Sequence, residues 1–126
     1  MSYDTSIIID TGGRYPAEVE EIGNYTGNVG AMYRILFPSS YENGGKYNGV
    51  GESSLRNGLP GLSGLNCTVA SLILREGIIQ MQDRINELKR FEPSNGWGSY
   101  DGALIYLQSI NAACLRHPKG TLAVNC

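Results

Sequence analysis

Two stretches of helical periodicity, separated by the segment 91–102, constrain this chain most, because together they demand a long antiparallel helical hairpin. From Cys67 to about Arg90, the residues Val69, Leu72, Ile73, Ile78, Met81, Ile85 and Leu88 recur at helical spacings, most clearly at 78, 81, 85 and 88. Asn66 or Thr68 can cap the start, and Lys89 and Arg90 suit the negative C-terminal end. With a rise of about 1.5 Å per residue, such a helix is on the order of 36 Å long. Gly77 interrupts it at a cost of about 1 kcal/mol against Ala, and is expected to mark the close approach of a second helix. That second helix starts at Ser99, a capping residue with Asp101 in the favourable first turn. Ala103, Leu107, Ile110 and Cys114 form its expected buried stripe, widened by Leu104 and Leu115, and His117-Pro118 ends it.

The front half reads differently. Ser6-Ile7-Ile8-Ile9 is a short apolar strand closed by Asp10-Thr11-Gly12-Gly13, and residues 17–22 alternate well enough for a second strand with its acids in water. Asn28 is expected to cap a short helix from Val29 to Leu36, which Pro38 stops. Residues 38–64 carry Ser, Asn, Gly and Pro with few apolar residues, and read as an excursion or flap. Thr121-Leu122-Ala123-Val124 is a final short strand able to pair with 6–9. The expected class is α+β, a small antiparallel sheet packed on the helical hairpin, in a single domain.

Composition narrows the functional classes. A chain of 126 residues with 41% hydrophobic and 17% charged residues suits one globular domain rather than a disordered one. A net charge of −2 argues against a nucleic-acid binder, which carries a basic excess. No apolar run approaches the roughly 18 residues of a membrane span. The start, Met1-Ser2-Tyr3-Asp4, lacks the basic and apolar regions of a signal peptide, so a cytoplasmic location is expected. Cys67, Cys114 and Cys126 are odd in number and lack Cys-x-x-Cys spacing, which fits reduced thiols better than a disulfide framework or a zinc site.

Little here points to catalysis. The one histidine, His117, stands at a helix end, where as a cation it would cap the last carbonyls. Cys114 lies on the apolar stripe and reads as core. Glu18, Glu20 and Glu21 on a short strand read as a solvated face. Thr11-Gly12-Gly13 and Gly58-Leu59-Pro60-Gly61-Leu62 lack the spacing of a phosphate-binding loop. No enzyme, metal or cofactor is expected.

Binding is better served. Residues 91–102 hold the single Trp, Trp97, together with Phe91, Tyr100, Asn95 and three glycines, far more than a helical connection needs. Such rings either plug a core or are presented to something that stacks on them. The stretch 24–34 repeats this chemistry with Tyr25, Asn28, Met32, Tyr33 and Arg34. The start of the helix near Val29 would offer free N–H groups to an anion, and Arg34, Arg56 and Arg90 could add charge-assisted contacts. Tyr25, Asn28, Met32, Tyr33, Arg34, Arg90, Asn95, Trp97 and Tyr100 are therefore the candidate ligand-binding residues.

Two motifs carry a resemblance. Tyr25-Thr26-Gly27-Asn28-Val29-Gly30-Ala31-Met32-Tyr33 and Glu92-Pro93-Ser94-Asn95-Gly96-Trp97-Gly98-Ser99-Tyr100-Asp101-Gly102-Ala103 resemble elements of a family of small uncharacterised phage and prophage proteins. In that family a Y-T-x-N-V-x-x-M element precedes a helical hairpin bearing N-P-x-N-G-W-G-x-Y-x-G-A. The resemblance spans most of residues 24–124. This chain has Glu92 where the pattern has Asn, and a longer insertion around 38–61. Small acidic phage proteins of this build are similar to anti-defence sponges that sequester cyclic ADP-ribose isomers or cyclic oligonucleotides. The resemblance thus implies a non-enzymatic binder of a small nucleotide-type ligand. The two apolar faces of the hairpin, of which a small sheet covers only one, and the edge left by strand 6–9 predict a homo-oligomer, a dimer or higher. In such an assembly the 24–34 loop of one subunit would face the 91–102 loop of another. The alternative is a protein–protein inhibitor of a host defence factor, docking through the aromatic loop.

Overall fold

In the computed structural model, which describes residues 2–14, 17–38 and 57–125, the chain is α+β. Strands β1 (Ser2–Ile9), β2 (Ala17–Thr26) and β3 (Thr121–Asn125) form an antiparallel sheet in the order β2-β1-β3. Helices α1 (Gly30–Leu36), α2 (Cys67–Asp83), α3 (Ile85–Leu88) and α4 (Tyr100–Arg116) complete it. The expected pairing of the last strand with the first is present, with Ile7 opposite Leu122 and Thr5 opposite Val124.

β1 and β3 are longer than their apolar cores. β1 begins at Ser2 because Tyr3, Thr5 and Ile7 alternate inward while Ser2 and Asp4 point to water. It is the central strand, hydrogen bonded on both sides, and does not leave an edge to protect. The outer edge of β3 is covered instead by its own chain: Gly64 and Leu65 exchange backbone hydrogen bonds with Leu122, and the Ser63 hydroxyl accepts from the Val124 N–H at 2.9 Å. β2 is the other edge, and its exposed Glu18 and Glu21 are of the kind that discourages further pairing.

The hairpin differs from expectation in three ways. The first helix is not continuous to Arg90. It breaks at Arg84 (φ −113°, ψ 31°), restarts as α3, and ends in a 3-10 turn at Lys89–Phe91. Its inward face is Cys67, Ala70, Leu74, Gly77 and Met81, while Val69 and Leu72 are exposed. Small residues let α2 approach α4 closely, so the larger aliphatics are left on the outside. Leu115 of α4, expected to widen the buried stripe, is likewise exposed, whereas Ala103, Leu107, Ile110 and Cys114 are buried as expected. Finally, Gly77 accommodates the Phe37 ring rather than a second helix: a Cβ there would lie 2.6 Å from Phe37 Cζ.

The caps follow simple chemistry. Asn66 Oδ1 accepts from the Thr68 N–H at 2.9 Å, and Ser99 Oγ accepts from the Gly102 N–H at 3.0 Å, so both expected N-caps are used. At α1 the cap moves. Thr26, not Asn28, accepts from the backbone, at the start of a 3-10 turn Gly27–Val29 that leads into α1.

Of the expected flap at 38–64, residues 39–56 lie outside the described residues, and Arg56 with them. Residues 57–64 are no flap. Leu59 and Leu62, on a 3-10 turn, are fully buried in the core with Met32, Tyr33, Leu74, Leu107 and Ile110.

Candidate functional site

The stretches 24–34 and 91–102 meet within one chain. The Asn28 side-chain amide donates to the Trp97 carbonyl at 3.4 Å, and the Ser99 N–H donates to the Tyr25 hydroxyl at 3.1 Å. Gly98 adopts φ +98°, and a Cβ on it would lie 2.6 Å from Thr26 Cγ2. A Cβ on Gly102 would collide with the Tyr25 hydroxyl. The glycines therefore serve close packing between the two stretches. Asn95 Oδ1 accepts from the Trp97 N–H at 3.0 Å, an Asx turn that sets the direction of the loop.

The rings separate into two groups. Tyr33 and Met32 are wholly buried, and the Tyr33 hydroxyl donates to the Ala103 carbonyl at 3.0 Å. Burial holds the Tyr33 phenol far above the ordinary tyrosine range. Tyr100 is also core. Its hydroxyl donates to the Met81 carbonyl at 2.7 Å, its N–H donates to Glu92 Oε1 at 3.3 Å, and the Lys89 ammonium lies 5.8 Å from its ring centroid. Tyr25 is half-buried, its ring 5.5 Å from that of Tyr106. Trp97 stands apart, 71% exposed at the tip of the loop. Of the nine candidates, then, Tyr33, Met32 and Tyr100 build the core. Tyr25 and Asn28 hold the loop. Trp97, Asn95, Arg90 and Arg34 remain at the surface.

The helix start at Val29 is not the expected anion site. α1 has only seven residues, and Gly30 is buried beneath the Tyr3 hydroxyl and the guanidinium of Arg34, which folds back over it.

Sequence reasoning missed three features. Beneath the site, the Tyr106 hydroxyl lies 2.7 Å from Thr5 Oγ1 and donates towards the Tyr3 and Gly23 carbonyls, where β1 and β2 shift register. Burial lifts its phenol to about 12. On β2, Glu20 is not merely a solvated acid. Its carboxylate takes both the Arg116 guanidinium and His117 Nε2, the latter at 3.0 Å, so the His117 ring turns to Glu20, while its backbone N–H donates to the Ala113 and Cys114 carbonyls at the end of α4. Arg116, foremost, holds the Glu20 carboxyl below the usual range. Last, a groove of about 450 Å³ opens between α2 and α4, lined by Thr68, Ser71, Leu72, Arg75, Asn111, Cys114, Leu115 and Pro118. No local pattern signals these, since each joins residues far apart in sequence.

Among the described residues no group of three or more His, Cys, Asp or Glu is placed to hold a metal ion, and no helix is long and apolar enough to cross a membrane. Compared with protein families, curated proteins and solved structures, the chain matches none. The resemblance to small phage proteins thus rests on the two motifs alone.

Proposed function

We propose that this protein acts by binding rather than by catalysis, with the Trp97 indole at the centre of its contact surface. The observation that carries this is the 71% exposure of Trp97 on a loop tied at Asn95, at Trp97 itself and at Ser99. An exposed ring of this size forgoes roughly 2 kcal/mol of burial that a partner recovers, and a loop already held in place loses little entropy on docking. Aromatic anchors of this kind dominate protein interfaces.

Of the partners expected from the sequence, a protein surface with a receptive pocket fits a protruding ring best. The groove of about 450 Å³ and a smaller cavity of about 260 Å³ are both lined by other residues. We read the chain accordingly as an inhibitor or adaptor that docks onto a host defence protein, acting in the host cytoplasm if phage-encoded. The nucleotide-sponge reading needs a second copy to supply the wall facing Trp97, with Arg90 available to a phosphate. Its support is the apolar outer face of the hairpin, where Leu72 and Leu115 are each 65% exposed and give copies a surface on which to associate.

One experiment separates these readings. Purified chain and its Trp97→Ala variant are incubated with extracts containing immune nucleotides and host proteins, then recovered and heated. A host protein retained in stoichiometric amount by the parent and lost by the variant supports docking. Intact nucleotide released from the parent alone supports the sponge, and a chemically altered nucleotide overturns the binding-only reading. Light scattering on the same samples reports the oligomeric state.

A further inference from the structure

The groove of about 450 Å³ between α2 and α4 lies apart from the Trp97 loop, which contributes no side chain to its wall. At one end the Thr68 hydroxyl donates to the Pro118 carbonyl at 2.9 Å and ties the start of α2 to the turn after α4. Two turns further along α2, roughly 11 Å away, stands Arg75. Between them the wall is apolar: Leu72 from α2 and Leu115 from α4, each 65% exposed, with the buried Cys114. The polar groups on this wall are not balanced. The Ser71 hydroxyl donates to Asn111 Oδ1 at 2.7 Å, so the protons of Ser71 and Thr68 are both engaged within the protein. The Asn111 side-chain NH2 and the Arg75 guanidinium have no partner of their own among the described residues. Arg75 follows Ser71 by one helical turn, on the same side of α2, which brings these two donors to one part of the groove. No Asp or Glu lines it.

We propose that this groove binds an amphiphilic monocarboxylate, its alkyl or aryl body laid along Leu72, Leu115 and Pro118 and its carboxylate held by Arg75 and Asn111. A guanidinium meets a carboxylate with two parallel N–H···O bonds, and the Asn111 amide supplies a third donor. One carboxylate neutralises the one cation of the groove, whereas a phosphate dianion would leave charge against an apolar wall. The volume falls within the range of about 300–1,000 Å³ typical of small-molecule sites, which are mostly apolar with a few polar groups that fix orientation. An apolar body in the groove also removes from water the two leucines that the fold leaves exposed. The site is separate from the Trp97 contact surface, and neither reading depends on the other.

The test titrates the full chain with hexanoate, octanoate and decanoate, read by calorimetry and by amide NMR shifts. Saturable binding should tighten roughly threefold to fourfold for each methylene that enters the groove. The shifts should centre on residues 68–75 and 111–118. Octanol and octylamine, of matching length, should bind about tenfold more weakly than octanoate or worse. Arg75→Gln should weaken octanoate by about tenfold and leave octanol unchanged, and Arg75→Lys should recover part of the loss. Because Arg75 is exposed, melting curves of both variants should match the parent, which separates lost affinity from lost fold. Equal binding of octanol and octanoate, an affinity untouched by Arg75→Gln, or no saturable binding overturns the proposal. So does a dimer, seen by light scattering, that Leu72→Gln dissociates and octanoate leaves intact, since the groove would then belong to a second copy.

Discussion

The hydroxyl of Tyr25, on β2, accepts a hydrogen bond from the backbone N–H of Ser99 at 3.1 Å, and so joins the sheet to the first turn of α4. That oxygen also occupies the space a side chain on Gly102 would need. One atom therefore dictates both a hydrogen bond and a glycine.

This coupling is measurable. Gly102→Ala should destabilise the fold by about 1–3 kcal/mol, the usual cost of overpacking, despite the better helix propensity of Ala. Tyr25→Phe alone should cost on the order of 1 kcal/mol. In the double variant the two costs should add to less than their sum, since losing the hydroxyl relieves part of the clash. Urea denaturation of the four proteins gives the cycle, and strict additivity would refute the contact.

Trp97 and Tyr100 sit three residues apart and should behave oppositely. Trp97→Ala should leave stability within about 0.5 kcal/mol of the parent, as surface changes do. Tyr100→Ala should cost about 3–5 kcal/mol, because it empties a core site and orphans the Met81 carbonyl. Thermal melts of the two variants decide this, and a collapse on Trp97→Ala would make that ring a structural plug.

Acid should weaken the link between β2 and the end of α4. The Glu20 carboxyl is held below its ordinary value, near 4.5, principally by Arg116. A group depressed in the folded state stabilises above its unfolded pKa, and that contribution is lost as pH falls through the lower folded value. Glu20→Gln should therefore be less stable than the parent at neutral pH, with the difference shrinking below about pH 4. Denaturation curves across that range test it. A difference that does not change with pH would rule out the ionised pair as the cause.

Gly77 offers a test where propensity and packing disagree. Helix propensity alone predicts that Gly77→Ala gains about 1 kcal/mol. The Phe37 ring 2.6 Å from the new Cβ predicts a net loss of about 1–2 kcal/mol instead. Replacing Phe37 by Leu in the same chain should recover part of it. A stabilised Gly77→Ala would show that the ring does not rest on α2.

The helical hairpin, both of its N-caps and the pairing of the last strand with the first were legible because each rests on local chemistry or period. Asn66 and Ser99 cap through their own side chains, and Ala103, Leu107, Ile110 and Cys114 repeat at the helical period. The inward face of α2 was not legible. Cys67, Ala70 and Gly77 carry little hydrophobic signal, while exposed Val69 and Leu72 carry much. Hydropathy measures what a residue can bury, whereas the closeness of α4 determines which face is buried.

The candidate site divides along the same line. The sequence by itself determined that 24–34 and 91–102 hold the unusual chemistry, since rings, amides and glycines in connections exceed what turns require. Only the tertiary structure decided which rings fill the core and which meets solvent. Tyr33 and Tyr100 bury because the packing of α2 on α4 offers carbonyls, at Ala103 and Met81, within reach of their hydroxyls. Trp97 stays outside because Tyr25, Asn28 and two glycines close the space beneath the loop. Such choices depend on volumes and partners far apart in the chain, and no local pattern records them.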